Sequence, residues 1–338
     1  MELLYSFLSS LNINLTLQQQ EIINAIVSSS SFIVLIAMLV EWFIPFPYLL
    51  RLNRLLPYFL GLSRRVNKLF YSHQQKKFAG ILLPILFVIP ITIAIIALKT
   101  LLPSTAFIEF CILLFLFESK PPRTYAKRIT YLLEKEKNLE AKTILSNIVL
   151  RVTTKLSKMG IAKATCEAVP LRLLNSFYVI AVLYVLFGIY VAVIAKLFTL
   201  LAMSYNNKLA INEGFGNFTR TVCQAFYVIP SIIMYLTICI LPAPNKQFLK
   251  VALTHAMTTW PSKTTGMLLT AFAVFTNIQL GGPRYYMINL YRFPTIGGVN
   301  QVETKDIKRI TKTTSLYIWV TMIAICLIGF AITIYDYT

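Results

Sequence analysis

Acidic residues are scarce in this chain. Of its 338 residues only 13 are Asp or Glu, and only Asp306 and Asp336 are aspartates. Charge of either sign makes up 13%, about half the share in an ordinary soluble domain. That shortage excludes a disordered chain and argues against a soluble globular enzyme. Too few carboxylates also weigh against Mg²⁺ or Ca²⁺ sites, which rely on carboxylate oxygens. His73 and His255 are the two histidines, and the five cysteines (Cys111, Cys166, Cys223, Cys239 and Cys326) sit singly. Neither set has the spacing of a zinc or redox motif. No phosphate-binding GxxxxGK[ST] loop, no GxGxxG after a strand and no HExxH occurs. The start, Met1-Glu2-Leu3-Leu4, lacks the basic stretch of a cleaved signal peptide, so the first hydrophobic helix is expected to stay as an anchor.

Apolar residues fill the gap. They account for 57% of the chain, and the mean hydropathy is +0.68. A membrane-crossing helix needs about 20 mostly apolar residues. Six runs qualify: Ile22–Ile44, Ala79–Leu98, Leu101–Phe117, Leu173–Ala195, Thr221–Leu241 and Ser315–Tyr335. The expected fold is therefore all-α, a polytopic membrane protein with about six transmembrane helices and cytoplasmic helical segments. A seventh apolar stretch, Thr264–Leu280, is short and carries Thr and Asn, which reads as a cytoplasmic, interfacial or re-entrant helix.

The bases set the sidedness. With 32 Lys and Arg the formal net charge is +19. Seven bases fall in Arg51–Lys77, twelve in Glu118–Arg172 and nine in Pro242–Thr314. Six spans put all three segments on one side, as the positive-inside bias requires. Nucleic acid is thus not needed to explain the charge, and the bilayer is the expected partner. Pro45, Pro47 and Pro57 break the first of these segments before an amphipathic basic run, Leu62–Phe78, expected at the lipid surface. Helices are expected through Leu132–Leu145, and turns at Pro242-Ala243-Pro244, Gly281-Gly282-Pro283 and Ile296-Gly297-Gly298. The chain divides as 1–117, a membrane region with a basic loop; 118–314, cytoplasmic helices with a membrane hairpin; and 315–338, the last span.

Few groups can carry chemistry. Glu41 and Glu109 fall within predicted spans, where an ionisable group is costly and marks a functional hypothesis, although both lie near helix ends. Arg151, Thr153, Thr154 and Lys155 cluster after one helix, with Glu167 on the next. Arginine beside hydroxyls suits a phosphate or carboxylate; a solvated helix junction is the plainer alternative. Leu280-Gly281-Gly282-Pro283 closes an apolar helix with two glycines, over which backbone can approach a ligand.

Taken in order, from about Leu132 to Lys312, these segments resemble the CobD/CbiB family, the membrane-bound adenosylcobinamide-phosphate synthases of cobalamin biosynthesis. Gln279-Leu280-Gly281-Gly282-Pro283-Arg284-Tyr285-Tyr286 and Phe293-Pro294-Thr295-Ile296-Gly297 are similar to the family's LGGP…YF…KPxIGD signature. Leu145–Leu156 is similar to its LSxIVGRDTSxL, Glu167 matches the Glu of VES/VET, and Arg220 with Tyr227 and Pro230 resembles ARxDDxxNYxPARL. Trp260-Pro261 resembles GWPEA. Val152, Ala202, Val222 and Cys223 stand where the family has Asp.

The resemblance implies an enzyme of the bacterial cytoplasmic (inner) membrane that forms an amide, with ATP and Mg²⁺, between adenosylcobyric acid and aminopropanol or its phosphate. It implies Glu167 as catalytic residue or Mg²⁺ ligand, and a corrinoid (cobyric acid) held by Arg151, Thr153, Thr154, Arg220 and Leu280–Pro283. With the aspartates replaced, the other class is a non-catalytic scaffold or signalling protein, similar to the AmpE-like proteins. The six-span threading places Lys196–Arg220 outside, whereas the resemblance wants it beside the other motifs. A helical hairpin breaking near Gly188 would reconcile the two.

Overall fold

The structure, a computed structural model, describes residues 17–44, 51–68, 70–102, 104–206, 212–240, 246–287 and 289–337. The chain start, Pro45, Pro47 and the Pro242-Ala243-Pro244 turn lie outside the described residues.

Helices dominate. The first span is two helices, α1 (Leu17–Ser28) and α2 (Ser30–Phe43), bent by 56° at Ser29. The Ser29 hydroxyl caps α2 by accepting from Phe32 N. The basic loop that follows is helical over α3 (Leu56–Val66), with Pro57 in its first turn, where a missing N–H costs nothing. A break follows before α4 (His73–Leu101), so the expected surface run Leu62–Phe78 is split between two helices. A capping box of Ser72 and Gln75 starts α4.

After α5 (Thr105–Leu116) come α6 (Lys120–Glu134), α7 (Asn138–Ser146) and α8 (Lys158–Leu173). A π-helical turn at Leu174–Tyr178 runs directly into α9 (Val179–Ser204). Then follow α10 (Asn217–Ile240), α11 (Lys246–Thr259), α12 (Lys263–Thr276) and α13 (Thr304–Tyr337). Between α12 and α13 lies an antiparallel hairpin, β1 (Gln279–Tyr286) with β2 (Asn289–Gly297).

Two expectations about spans need correction. Among the described residues four helices are long and apolar enough to cross a membrane: α4, the α8–α9 run, α10 and α13; the bent α1–α2 pair would make a fifth. Leu101–Phe117 is helical over the 12 residues of α5, shorter than the roughly 20 of a full crossing, and it nevertheless brings Glu118 back beside Asn53 of the loop before α4. The α8–α9 run also does not go straight through. Gly188 has φ 80 and ψ −178, a conformation inside α9 that breaks the helix. On one side of it the Ser176 carbonyl accepts from Glu118 N at 3.1 Å. On the other, Lys196 Nζ lies 3.5 Å from Glu118 Oε2. A straight helix would separate residues 176 and 196 by about 30 Å. The chain therefore doubles back at Gly188, and Lys196 returns to the level of Ser176.

Contacts near the tip agree. Tyr184 donates to Glu109 Oε2 at 2.6 Å, and Lys99, paired with that same Glu109, lies 5.2 Å from the Tyr190 ring centre. Tyr184 and Tyr190 flank Gly188, so one ion pair braces both arms. Leu186 and Phe187, beside the turn, are exposed apolar residues, suited to lipid rather than water. Glu109 is thereby accounted for as a brace.

The core runs through α8, both arms of α9, α12 and the first half of α13. The Thr264–Leu280 stretch is α12 and is buried along most of its length. It ends at Asn277 in the left-handed conformation, and the glycines expected to close it instead lie in strand β1.

Candidate functional site

The site is assembled where β1 crosses α8. Strand pairing puts Gly281 opposite Thr295 and Gly282 opposite Phe293, which leaves Pro294 as the extra residue of a bulge. Proline has no N–H to give the ladder, so it suits that position. Gly281 has φ +85, and a Cβ there would sit 2.1 Å from the Pro294 carbonyl oxygen. Only glycine fits. The bulge turns Gly281 N–H out of the ladder and onto Glu167 Oε1, at 2.7 Å.

Glu167 lies mid-way along α8 and is buried. Two arginines meet it. Arg151 Nη2 is 2.9 Å from Oε2, and Arg284 Nη2 is 3.3 Å from Oε1. Arg151 is brought in by its neighbour, because Val152 N donates to the Tyr285 carbonyl at 2.9 Å and ties that loop to β1. Burial pulls the Arg151 pKa down, and the Glu167 carboxylate opposes that shift. Arg284 packs against two rings, its guanidinium carbon 4.1 Å from the Phe293 centre and 5.6 Å from that of Trp260. Lys163, one turn before Glu167, feels the charges of Glu167, Arg284 and Arg151. A Cβ on Gly282 would come within 3.7 Å of its Nζ. Lys155 lies 5.2 Å from the Tyr285 ring centre, close by on the same strand.

Three cations thus gather around one carboxylate. The net charge of this group is +2, from Arg151, Lys163 and Arg284 against Glu167. Such a surplus in a half-buried setting invites an anion, and two of the cations are forks that match carboxylate or phosphate.

The expected residues divide cleanly. Arg151, Glu167 and Gly281 converge, with Gly282 beside them. Leu280 is fully buried and serves the core, while Pro283 is exposed opposite Arg292. Thr153 is buried with its carbonyl accepting from Leu156 N; Thr154 is exposed with its carbonyl accepting from Lys142. Arg220 is exposed in the first turn of α10 and joins none of these contacts. Lys163 was not anticipated, although its place four residues before Glu167 puts both on one helix face. Arg284 and Trp260 were seen only as letters of a motif.

The residues present do not fit a protein-held magnesium ion. Both oxygens of Glu167 face arginines, and one also takes a backbone N–H. Among the described residues no three of His, Cys, Asp and Glu gather into a possible metal centre. Magnesium wants oxygen ligands and would meet three cations here.

A second buried polar cluster lies at the return of the α9 hairpin. Glu118 joins Lys196, and Asn53 donates to its Oε2. Glu41 Oε1 accepts from Ser119 N at 3.0 Å and Lys120 N at 3.4 Å, at the N-terminus of α6. Arg123, which also interacts with Glu41, stacks 3.4 Å from the Trp42 ring centre.

The family model described as CobD/Cbib protein matches residues 34–314, which takes in both clusters. No curated protein and no solved structure gives a significant match. A match over most of the chain, residues 34–314, places this protein in the CobD/Cbib family, the membrane proteins of cobalamin biosynthesis.

Proposed function

We propose that the protein acts in the bacterial inner membrane at the step that joins aminopropanol, or its phosphate, to adenosylcobyric acid in an ATP-dependent amide-forming reaction. The supporting observation is the convergence of Arg151 and Arg284 on Glu167, with Lys163 alongside. In this reading Glu167 does not touch magnesium. It holds the two guanidinium groups in position and leaves their remaining N–H donors for an anion. That anion is the corrinoid carboxylate that will become the amide, or a phosphate of the nucleotide. Gly281 and Gly282 keep side chains away from the approach, and the Trp260–Phe293 pair packs against Arg284. Magnesium, where the reaction uses it, arrives on nucleotide phosphates, because the described residues offer it no cage.

Complementation of a synthase-deficient strain tests this reading. The wild-type chain restores cobalamin synthesis, and Arg151→Ala or Arg284→Ala abolishes the rescue. No rescue by the wild-type chain would overturn it. The second reading, an AmpE-like scaffold that keeps the frame without the reaction, is favoured by one observation: each oxygen of Glu167 is paired with an arginine. It predicts that the wild type fails to rescue.

A further inference from the structure

The cluster at the hairpin return holds more polar capacity than it uses. Lys196, Glu118 and Glu41 are 0%, 2% and 1% exposed. Lys196 Nζ, Glu118 Oε1 and Glu41 Oε2 each lack a hydrogen-bond partner among the described residues. The three belong to one place. Lys196 pairs with Glu118, Glu41 is anchored on the next residue, Ser119, and Lys196 feels the charge of both carboxylates. Leaving three such atoms unmatched is costly, more so in a membrane-embedded setting.

The unmatched groups are two carboxylate oxygens, which accept, and one ammonium, which donates. An anion would be repelled by the two carboxylate oxygens. A cation would join Lys196, Arg51 and Arg123, whose charges already reach the cluster. Each carboxylate already has its counter-charge, so added charge in this buried place would be penalised. The complement is a neutral group with two donors and one acceptor. A primary carboxamide has these, in two N–H bonds and one carbonyl.

We infer that Lys196, Glu118 and Glu41 form a second binding site that takes a primary carboxamide of the ligand. The amide N–H bonds point to Glu118 Oε1 and Glu41 Oε2, and its carbonyl accepts from Lys196 Nζ. This rests on the corrinoid reading above, in which the Arg151 site takes the carboxylate and this site a neutral arm of the same molecule.

Binding to the purified protein in nanodiscs tests it, with dicyanocobyric acid, which carries primary carboxamides around its ring, against dicyanocobyrinic acid, in which they are carboxylates. The wild type should favour the amide form by about tenfold or more, the scale of one or two hydrogen bonds to charged groups. That preference would run against the positive charge of the Arg151 site, which alone would favour the polyacid. Glu41→Gln should narrow the ratio, while Arg151→Ala should weaken both ligands without narrowing it; thermal unfolding of each variant checks that it is folded. Equal binding of the two ligands by the wild type, or a ratio unchanged in Glu41→Gln, would mean the cluster holds water only and would overturn the amide site alone. Binding of neither ligand would overturn the corrinoid reading and this inference with it.

Discussion

Arg151 and Glu167 stand 2.9 Å apart, on a loop and a helix that are each also bonded to β1, through Val152 N to the Tyr285 carbonyl and Gly281 N to Glu167 Oε1. The pair is therefore a reporter of whether the hairpin is docked. Glu167 is the single acid of the group, so it carries the neutralisation of Arg151, Arg284 and part of the Lys163 charge at once. Its removal exposes three like charges to one another.

Glu167→Gln is accordingly expected to destabilise the protein by about 3 kcal/mol or more, the usual result of deleting one partner from a buried ion pair. Thermal unfolding in nanodiscs measures this. Glu167→Gln with Arg151→Met should recover part of the loss, because the double change removes a charge along with its partner. A single variant as stable as the wild type would show that the ion pair is absent.

Three glycines should rank by what surrounds them. Gly281→Ala combines a positive φ with a Cβ 2.1 Å from a backbone oxygen, so it should be the most harmful. Gly188 has φ +80 with nothing within 4 Å of a Cβ, so Gly188→Ala carries strain without collision, about 1–3 kcal/mol. Gly282→Ala has a similar strain, and its Cβ would approach the end of the Lys163 side chain. It should therefore weaken ligand binding more than its stability loss explains. Unfolding midpoints and corrinoid binding on the three variants give the order.

How far the sequence foretold this arrangement depends on which physical signal each part sends. Apolar length revealed α4, α10 and α13, because a long apolar run has few other homes. It says less at α5, where a run of 17 residues is helical over only 12. Hydropathy is also blind to direction: the α9 hairpin and a straight span have the same composition, and only Gly188 marks the turn. The Gly281-Gly282 pair was legible as a close backbone approach. In sequence it reads as a helix end, because the bulge that explains it depends on Pro294, twelve residues beyond Gly282. Glu41 was noticed as an acid in a span, but its relation to Glu118 and Lys196 needs the fold, since these residues are 77 and 155 positions away in the chain.

Metal removal gives a further expectation. Because no protein cage for magnesium exists among the described residues, a chelator should leave the unfolding temperature of the ligand-free protein unchanged. A fall on chelation, reversed by Mg²⁺, would show that carboxylates of this chain hold a structural ion.

The fold-back at Gly188 makes a prediction about sidedness that six simple spans reverse. If α9 crossed without turning, the residues after it would emerge on the opposite side from the loop before α8. The contacts of Glu118 with both Ser176 and Lys196 require instead that they return to the same side. Thr154, before α8, and Glu213, after α9, are both exposed. Cysteines placed at these positions, Thr154→Cys and Glu213→Cys, in a background freed of the native cysteines, should react with a membrane-impermeant maleimide from one and the same face of oriented vesicles. The positive-inside bias assigns that face to the cytoplasm, since the twelve bases of Glu118–Arg172 lie there. Labelling of the two cysteines from opposite faces would mean that α9 crosses straight through. Lys196 would then be too far from Glu118 to pair with it, and the carboxamide site would lose its donor.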